Sequence, residues 1–505
     1  MKEPAGPEAL AARAAATHVV VIGGGIGGLI AARECVKVGM RVTVLEASDA
    51  LGGAIRRADL DGVRVDSGAE SFATRGGHVR ALLEELGLAD RIVTPAAGGA
   101  WLAGIPGTGA APLPVGGILG IPANPFQDDV RRIIGWSGAW RAYLDRVRPP
   151  LTIGHQHSLG RLVSSRMGSK VRDRLVAPVT TGVYSASPED VDVDVAAPGL
   201  NAALTRTGSL SGAVQAVRDE GAARAAKAPG SAVEGLDGGM HVLVDALEAE
   251  LTRLGATVRT QAQVRSLSRT GESWLVTAEV EPDAQADADL EVDALEDVDP
   301  VEEFEADAVI VATDENAARM LLDPLVPGLS ASASGSAAPE IEIVSLLLEA
   351  SALDAAPRGT GVLTVPGSHT AKALTHSTAK WGWLREAAGT RHLVRVSFGA
   401  QGEPPATADL DDDAAAALAL SEASALLGVP LPRTALVAAH RSRFVQSQPA
   451  SIIGAGERRA AARDAVRAVP GLAVVGAWLA GTGLAQVVPD AKDEADRLRR
   501  ALIWD

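Results

Sequence analysis

The sequence predicts an α/β fold with α+β additions, in which a parallel sheet, a mixed β-sheet domain and a helical subdomain share one chain. Three observations predict it. A β-branched run at 18–22 stops at Gly23, a helical pattern at 29–38 stops at Gly39, and a second strand follows at 41–46, the βαβ opening of a parallel sheet. Two more runs of the fully buried type, 308–312 and 472–476, lie far along the chain, as expected when distant segments return to one sheet. Small residues dominate, with 54 glycines against 3% aromatics, which suits close helix–sheet packing.

Residues 1–16 are Ala-rich with mixed charge, lack the apolar centre of a secretory leader, and read as a flexible tail. After the βαβ opening, 78–86 is helical, with Val79, Leu82, Leu83 and Leu86 on one face. The stretch 98–125 is rich in Gly and Pro and reads as loops and short strands. Residues 126–227 are mostly helical in pattern, broken at Pro149–Pro150 and at Pro178. A turn at 235–239 precedes a helix at 240–254 that Gly255 ends. Runs at 257–267 and 273–279 read as paired strands, as do 341–348 and 392–398; 414–427 and 490–503 read as helices. No repeat with a period of about 20–50 residues is present. The expected division is a dinucleotide-binding domain from 17–95, 232–325 and 436–505, a substrate-binding sheet domain from 96–118 and 326–435, and a helical subdomain at 119–231.

The charge is uneven. The net −16 owes 14 acidic residues to 279–307, which holds no Lys or Arg; without that stretch the balance is −2. The segment is expected to loop out as a disordered insertion, because it lacks the apolar density to fold alone. The net charge of −16 argues against a general nucleic-acid binder. A single cysteine, Cys35, excludes an internal disulfide and suits a reducing compartment. No apolar run reaches the ~18 residues of a membrane span. A cytoplasmic location is therefore expected. His155 and His157 stand two apart, a poor spacing for a zinc pair on a helix, and no metal is expected.

The chemistry begins at VVVIGGGIGGLIAARE (19–34). Gly23, Gly25 and Gly28 form G-x-G-x-x-G between strand and helix: a tight turn, a close approach of backbone to pyrophosphate, and close helix–strand packing. The helix start then offers open N–H groups to the phosphates. Glu46 ends the second strand 18 residues after Gly28, where a carboxylate accepts from a ribose diol and repels a 2′-phosphate. This is a Rossmann-like unit. Three further features favour FAD over NAD. A second glycine turn, ALGGAIR (50–56), follows Glu46. DAVIVATD (307–314) delivers small residues from a buried strand. GLAVVGAWLAGTGLAQVV (471–488) supplies a strand, a glycine loop and a helix start suited to a flavin pyrimidine edge.

In these motifs the chain resembles the flavin amine oxidase superfamily, whose signature runs from GxGxxG through E-A-x-x-x-x-G-G. Within it the chain is similar to the flavin porphyrinogen oxidases of haem synthesis. The resemblance is carried by GAESFATR (68–75), LPVGGILGIP (113–122), RLVAPVTTGVYSASPEDV (174–191), TGSLSGAV (207–214), LDGGMHVLVDAL (236–247) and THSTAKWGWL (375–384). Two departures stand out. Arg443-Phe444 and Gln448-Pro449 replace a longer family motif that carries Tyr and His, and the last loop reads Gly481-Thr482-Gly483-Leu484-Ala485-Gln486 where the family has G-x-G-x-P-D.

The resemblance implies oxygen-dependent oxidation of coproporphyrinogen III to coproporphyrin III, as three two-electron hydride transfers to non-covalent FAD with hydrogen peroxide released. It also implies transient contact with the next enzyme of the haem pathway. The cofactor residues it implies lie in six places: Gly23, Gly24, Gly25, Ile26, Gly27 and Gly28; Glu46, Ala47, Gly53 and Ala54; Gly68, Ala69, Glu70 and Ser71; Val264; Ala312 and Thr313; Gly476, Thr482, Gly483 and Leu484. No catalytic side chain is named, because tautomerisation spreads the oxidation round the macrocycle. Arg75 and Lys380 are candidates for the substrate carboxylates, each weighed against a solvated surface charge. Trp381 and Trp383 read as core in preference to a substrate wall, and Cys35 reads as core. A protoporphyrinogen oxidase, another flavin amine oxidase or desaturase, and a non-catalytic flavoprotein are the alternative readings; the two tyrosines, Tyr143 and Tyr184, equip the chain poorly for an aromatic amine cage.

Overall fold

A computed structural model of the chain describes residues 6–148, 156–225, 233–280, 301–333, 338–445 and 451–504. His18–Ile22 is the centre of a five-stranded parallel sheet ordered Thr257–Arg259, Arg41–Leu45, His18–Ile22, Ala308–Val311 and Leu472–Val474. Successive side chains leave a strand on opposite faces, and here both faces are covered. Val19 and Val21 join one core with Leu29, Ile30 and Leu498. Val20 and Ile22 join another with Val309, Val474 and Leu479. That is why the strand reads as an unbroken apolar run. The predicted α/β class is observed. Because the strands are parallel, their C-terminal ends share one edge, and the loops after Ile22, Leu45, Val311 and Val474 gather there, the edge where such sheets bind ligands.

The helix after the first strand spans Ile26–Val36 and is buried along its whole length. It starts three residues before the predicted 29, taking Gly27 and Gly28 into its first turn. Close packing there outweighs the poor helix propensity of glycine. It packs between His241–Arg253 and the C-terminal helix Leu484–Ile503. That last helix starts at Leu484 instead of the predicted 490, because Pro489 lies near its N-terminal end and removes only one helical hydrogen bond.

A second, seven-stranded sheet runs in the order Leu436–Val445, Glu340–Leu348, His392–Phe398, Ala373–His376, Gly361–Thr364, Ala100–Ile105 and Gly109–Pro112. Gly361–Thr364 pairs parallel with Ala100–Ile105, and the other neighbours are antiparallel. Helices Asp128–Tyr143, Leu159–Met167, Ala177–Tyr184, Leu200–Thr207 and Leu210–Ala225 cluster about a core that includes Ile134, Leu162, Val163 and Leu200.

Two expectations are corrected. The flexible tail of 1–16 contains a helix, Pro7–Ala16, with Pro at its start. Ala14 is buried against the first core and the Arg13 guanidinium donates to the Ile503 carbonyl at 3.0 Å. An Ala-rich run has the highest intrinsic helix preference, and this one finds a docking partner in the C-terminal helix. The acidic insertion of 279–307 is not disordered throughout: Val301–Ala306 pairs antiparallel with Ser273–Val280, which pairs in turn with Ala262–Thr270. Val301, Glu303 and Glu305 face solvent on the outer side of this strand, whereas Glu302 lies on the other face, half-buried and paired with Arg259 at 3.0 Å. Residues 281–300 lie outside the described residues.

Candidate functional site

The first turn separates protein demands from ligand demands. Gly23 has φ +108°, and a Cβ there would lie 2.8 Å from the Ala312 carbonyl oxygen. A Cβ on Gly28 would lie 2.1 Å from the Gly23 carbonyl oxygen, and one on Gly27 would lie 3.2 Å from Gly476 Cα. These glycines are fixed by helix, strand and C-terminal turn closing on one another. Gly25 differs. Its φ −70° and ψ 170° suit any residue, and the nearest atom to its Cβ position is Gly53 Cα at 4.0 Å. Nothing in the protein requires glycine there. A group that must approach the backbone does, and the adjoining amides of Ile26, Gly27 and Gly28 are the open donors of a helix start. The turn fits a pyrophosphate.

Glu46 stands at the rim. Its carboxylate accepts from the Gly24 amide at 2.6 Å, the Ser48 amide at 2.8 Å and the Ser48 hydroxyl at 2.6 Å. No cation claims it within 4.0 Å among the described residues, so it is aimed by local donors and free to accept from a diol. Ser48, which orients Glu46, was not among the predicted residues; an acceptor with Ser two residues on is the only sequence signal for it. The second glycine turn locks onto the first: the Gly52 amide donates to the Gly24 carbonyl at 2.9 Å. Ala47 and Ala54 are exposed and Gly53 is half-buried beside Gly25. The Ala69 amide donates to the Ala54 carbonyl at 3.0 Å, which brings Gly68 and Ala69 to the same edge. Val264 is half-buried at the bulge of its strand, two residues after Ala262, whose amide donates to the Glu46 carbonyl at 2.8 Å. The Ala312 amide donates to Ile22, and Gly476 abuts Gly27 and lies near Thr313. Thr482 and Gly483 are exposed, and Leu484 is half-buried against the first core.

Glu70 and Lys380 need correction. The Glu70 carboxylate accepts from Lys380 Nζ at 2.5 Å, Arg395 Nη1 at 2.9 Å and the Ser377 hydroxyl at 3.0 Å. Burial works to raise its pKa, but Lys380 and Arg395 outweigh burial and hold it at about 2. Lys380 is thus neither a solvated charge nor a free cation for a substrate carboxylate, and the Glu70 side chain is spent on the sheet cations. Arg395 also donates to the Ser67 and Gly68 carbonyls, so the triad clamps the Gly68–Ser71 segment onto the seven-stranded sheet. Ser71, half-buried, follows it into Phe72–Ala73.

Arg75 keeps its candidacy. It is exposed, has no carboxylate within 4.0 Å among the described residues, and lies close enough to Tyr184 to offset part of the rise that burial imposes on the phenol. Beside Tyr184 the structure adds a cation the sequence did not suggest. Lys372 Nζ donates to the Ser185 hydroxyl at 2.6 Å and has no carboxylate in reach among the described residues; burial pushes the ammonium down to about 7. At the other end of the helix Ala177–Tyr184, Leu113, Leu119, Val130, Leu175 and Val179 line an apolar cavity of about 240 Å³. The LPVGGILGIP segment thus builds a cavity wall.

The remaining side chains play other parts. Cys35 and Trp381 are buried in cores, as expected, and burial pushes the Cys35 thiol up to about 12. His155 lies outside the described residues. His157, Asp192 and Asp194 bring donor atoms within 4.8 Å of one another, but Asp192 caps a helix turn and Asp194 accepts from Asn201.

Residues 26–499 match the family described as flavin containing amine oxidoreductase. The coproporphyrinogen III oxidase of Mycobacterium tuberculosis is 31% identical over 473 residues, spanning 92% of this chain and 93% of that protein. The coproporphyrinogen III oxidase of Propionibacterium freudenreichii is 28% identical and spans 95% of this chain and 90% of its own length. In three dimensions the chain superposes on a solved structure described as a protoporphyrinogen oxidase from Exiguobacterium, with a TM-score of 0.78 at 21% identity over 96% of this chain and 99% of that one.

Proposed function

The chain belongs to the flavin containing amine oxidoreductases, and within that family we propose that it oxidises coproporphyrinogen III to coproporphyrin III in haem synthesis, with non-covalent FAD and molecular oxygen as acceptor. The observation that carries the substrate is the 31% identity, across 92% of this chain, to a protein named for that reaction. The open cradle over Gly25 supports the cofactor.

Reaching the porphyrin removes six hydrogens from a porphyrinogen in three two-electron oxidations, and three O₂ leave as three H₂O₂. FAD, when bound, supplies the hydride acceptor and the route to oxygen. The chain supplies position and charge. Gly25 and the amides of Ile26 to Gly28 hold the pyrophosphate, Glu46 holds the ribose under the control of Ser48, and the start of Leu484–Ile503 serves the pyrimidine edge. The Glu70–Lys380–Arg395 triad keeps the Gly68–Ser71 wall rigid. Arg75, near Tyr184, and Lys372, bonded to Ser185, take substrate carboxylates. Lys372 suits this role because a propionate supplies the counter-charge that the protein withholds. The cavity of about 240 Å³ lies below the ~300–1,000 Å³ of whole-ligand pockets, so it receives an apolar edge of the macrocycle.

The test is kcat/KM for coproporphyrinogen III and protoporphyrinogen IX under identical detergent conditions, following porphyrin fluorescence, O₂ uptake and peroxide. A higher value for coproporphyrinogen is expected. A tenfold preference for protoporphyrinogen, about 1.4 kcal/mol in transition-state binding, overturns the assignment.

A further inference from the structure

A cleft on the face of the parallel sheet opposite helix Ile26–Val36 has an unbalanced set of donors. It lies between helices Glu315–Leu322 and Ala455–Arg467 and is closed by Trp478. Arg319 forms the floor. It is satisfied by Glu315 at 2.9 Å and by the Leu329 carbonyl at 2.9 Å, and its guanidinium lies 5.4 Å from the Trp478 ring centroid. Arg458 and Arg459 form one wall. Both are half-buried, and neither has a carboxylate within 4.0 Å among the described residues; Arg459 has only the Ala455 carbonyl, at 3.3 Å. Burial lowers the pKa of Arg459, Asp490 offsets part of this, and Arg458 and Arg463 add repulsion. Trp478 is 4% exposed, and among the described residues its indole N–H has no acceptor. Among the described residues Glu315 is the single acid lining the cleft, and it is engaged by Arg319.

Half-buried guanidiniums that repel each other and a buried N–H without an acceptor are each unfavourable alone. One acceptor anion relieves them together. The inner space, about 20 Å³, takes one or two atoms the size of water, so oxyanion oxygens fit and a ring does not.

We propose that this cleft is a binding site for a small oxyanion, a carboxylate or a phosphate, held by Arg458, Arg459 and the Trp478 indole N–H. The site does not depend on the oxidase reading. Trp478, which lines it, stands two residues after Gly476 on the helix Ala477–Ala480. The anion comes either from free phosphate or from a propionate of a tetrapyrrole.

The experiment is equilibrium dialysis of the flavin-loaded protein against radiolabelled inorganic phosphate, repeated in the presence of coproporphyrin III. Saturable binding at one site is expected. Arg458→Gln/Arg459→Gln raises Kd by about tenfold or more, Arg458→Lys/Arg459→Lys restores most of the affinity, and Trp478→Phe weakens binding without removing a charge. Unchanged flavin content and unfolding midpoint certify the variants. Displacement of phosphate by coproporphyrin identifies the propionate as the source; lack of displacement identifies the free anion. Equal phosphate binding by wild type and the Gln variant overturns the proposal. So does phosphate that expels FAD, since the cleft then belongs to the cofactor.

Discussion

Gly25→Ala and Gly23→Ala should move stability and flavin binding in opposite ways. At Gly25 the backbone is extended, at φ −70° and ψ 170°, and the added methyl meets no protein atom inside 4.0 Å. Alanine restricts the unfolded chain and fits the folded one, so the apoprotein should gain about 0.4–1 kcal/mol. The same methyl occupies the approach of the pyrophosphate, so FAD affinity should fall by about tenfold or more, at least ~1.4 kcal/mol, and Gly25→Val should abolish it. At Gly23, φ is +108° and the methyl lies 2.8 Å from the Ala312 carbonyl oxygen. There the left-handed backbone costs about 1–2 kcal/mol and the crowding a further ~1–3 kcal/mol, all on the fold itself. Urea unfolding of each apoprotein gives the stabilities, and flavin fluorescence titration gives the dissociation constants. A Gly25→Ala protein that binds FAD like wild type, or that is less stable as apoprotein, refutes the separation of roles.

Glu70→Gln leaves Lys380 and Arg395 without their carboxylate and should cost about 3–5 kcal/mol in unfolding free energy. Since the folded pKa of Glu70 is depressed to about 2, its stabilisation is present above the ordinary carboxylate range, near 4.5, and is lost as pH falls through 2; a wild-type-minus-variant difference that stays flat between pH 5 and pH 2 contradicts this. Lys372→Met should have the opposite sign: burying the ammonium costs stability in full below its folded pKa of about 7, and that cost fades as pH rises towards 10.5, by at most ~1.4 kcal/mol per unit. The variant should therefore be more stable than wild type at pH 6, with the gap closing by pH 10, while its KM for the porphyrinogen rises; urea melts across pH read the first and steady-state kinetics the second. Glu46→Ala should weaken FAD by about 1.5–3 kcal/mol through lost charge-assisted hydrogen bonds, and an unchanged dissociation constant removes Glu46 from the site. Replacing 281–300 with a short Gly/Ser linker should leave flavin content and turnover intact, whereas extending the replacement to 306 deletes the strand Val301–Ala306 and should lower the unfolding midpoint.

The sequence by itself determined what depends on neighbours in the chain. Strand, turn and helix at 18–36 follow from β-branching, glycine spacing and apolar periodicity, and so the parallel sheet and the glycine turn at its edge were legible. Local pattern failed where an element needs a distant partner. Pro7–Ala16 becomes an ordered helix because the C-terminal helix offers it a surface, and Val301–Ala306 becomes a strand because Ser273–Val280 has an edge to pair. Charge was the least legible property. Lys380 and Glu70 are 310 positions apart, and Lys372 and Ser185 are 187 apart. Periodicity shows which face a side chain takes, not which ion it meets. A charge becomes a clamp, a substrate cation or an anion site only through its burial and its neighbours in space, because both desolvation and Coulomb attraction depend on distances that the folded chain alone sets.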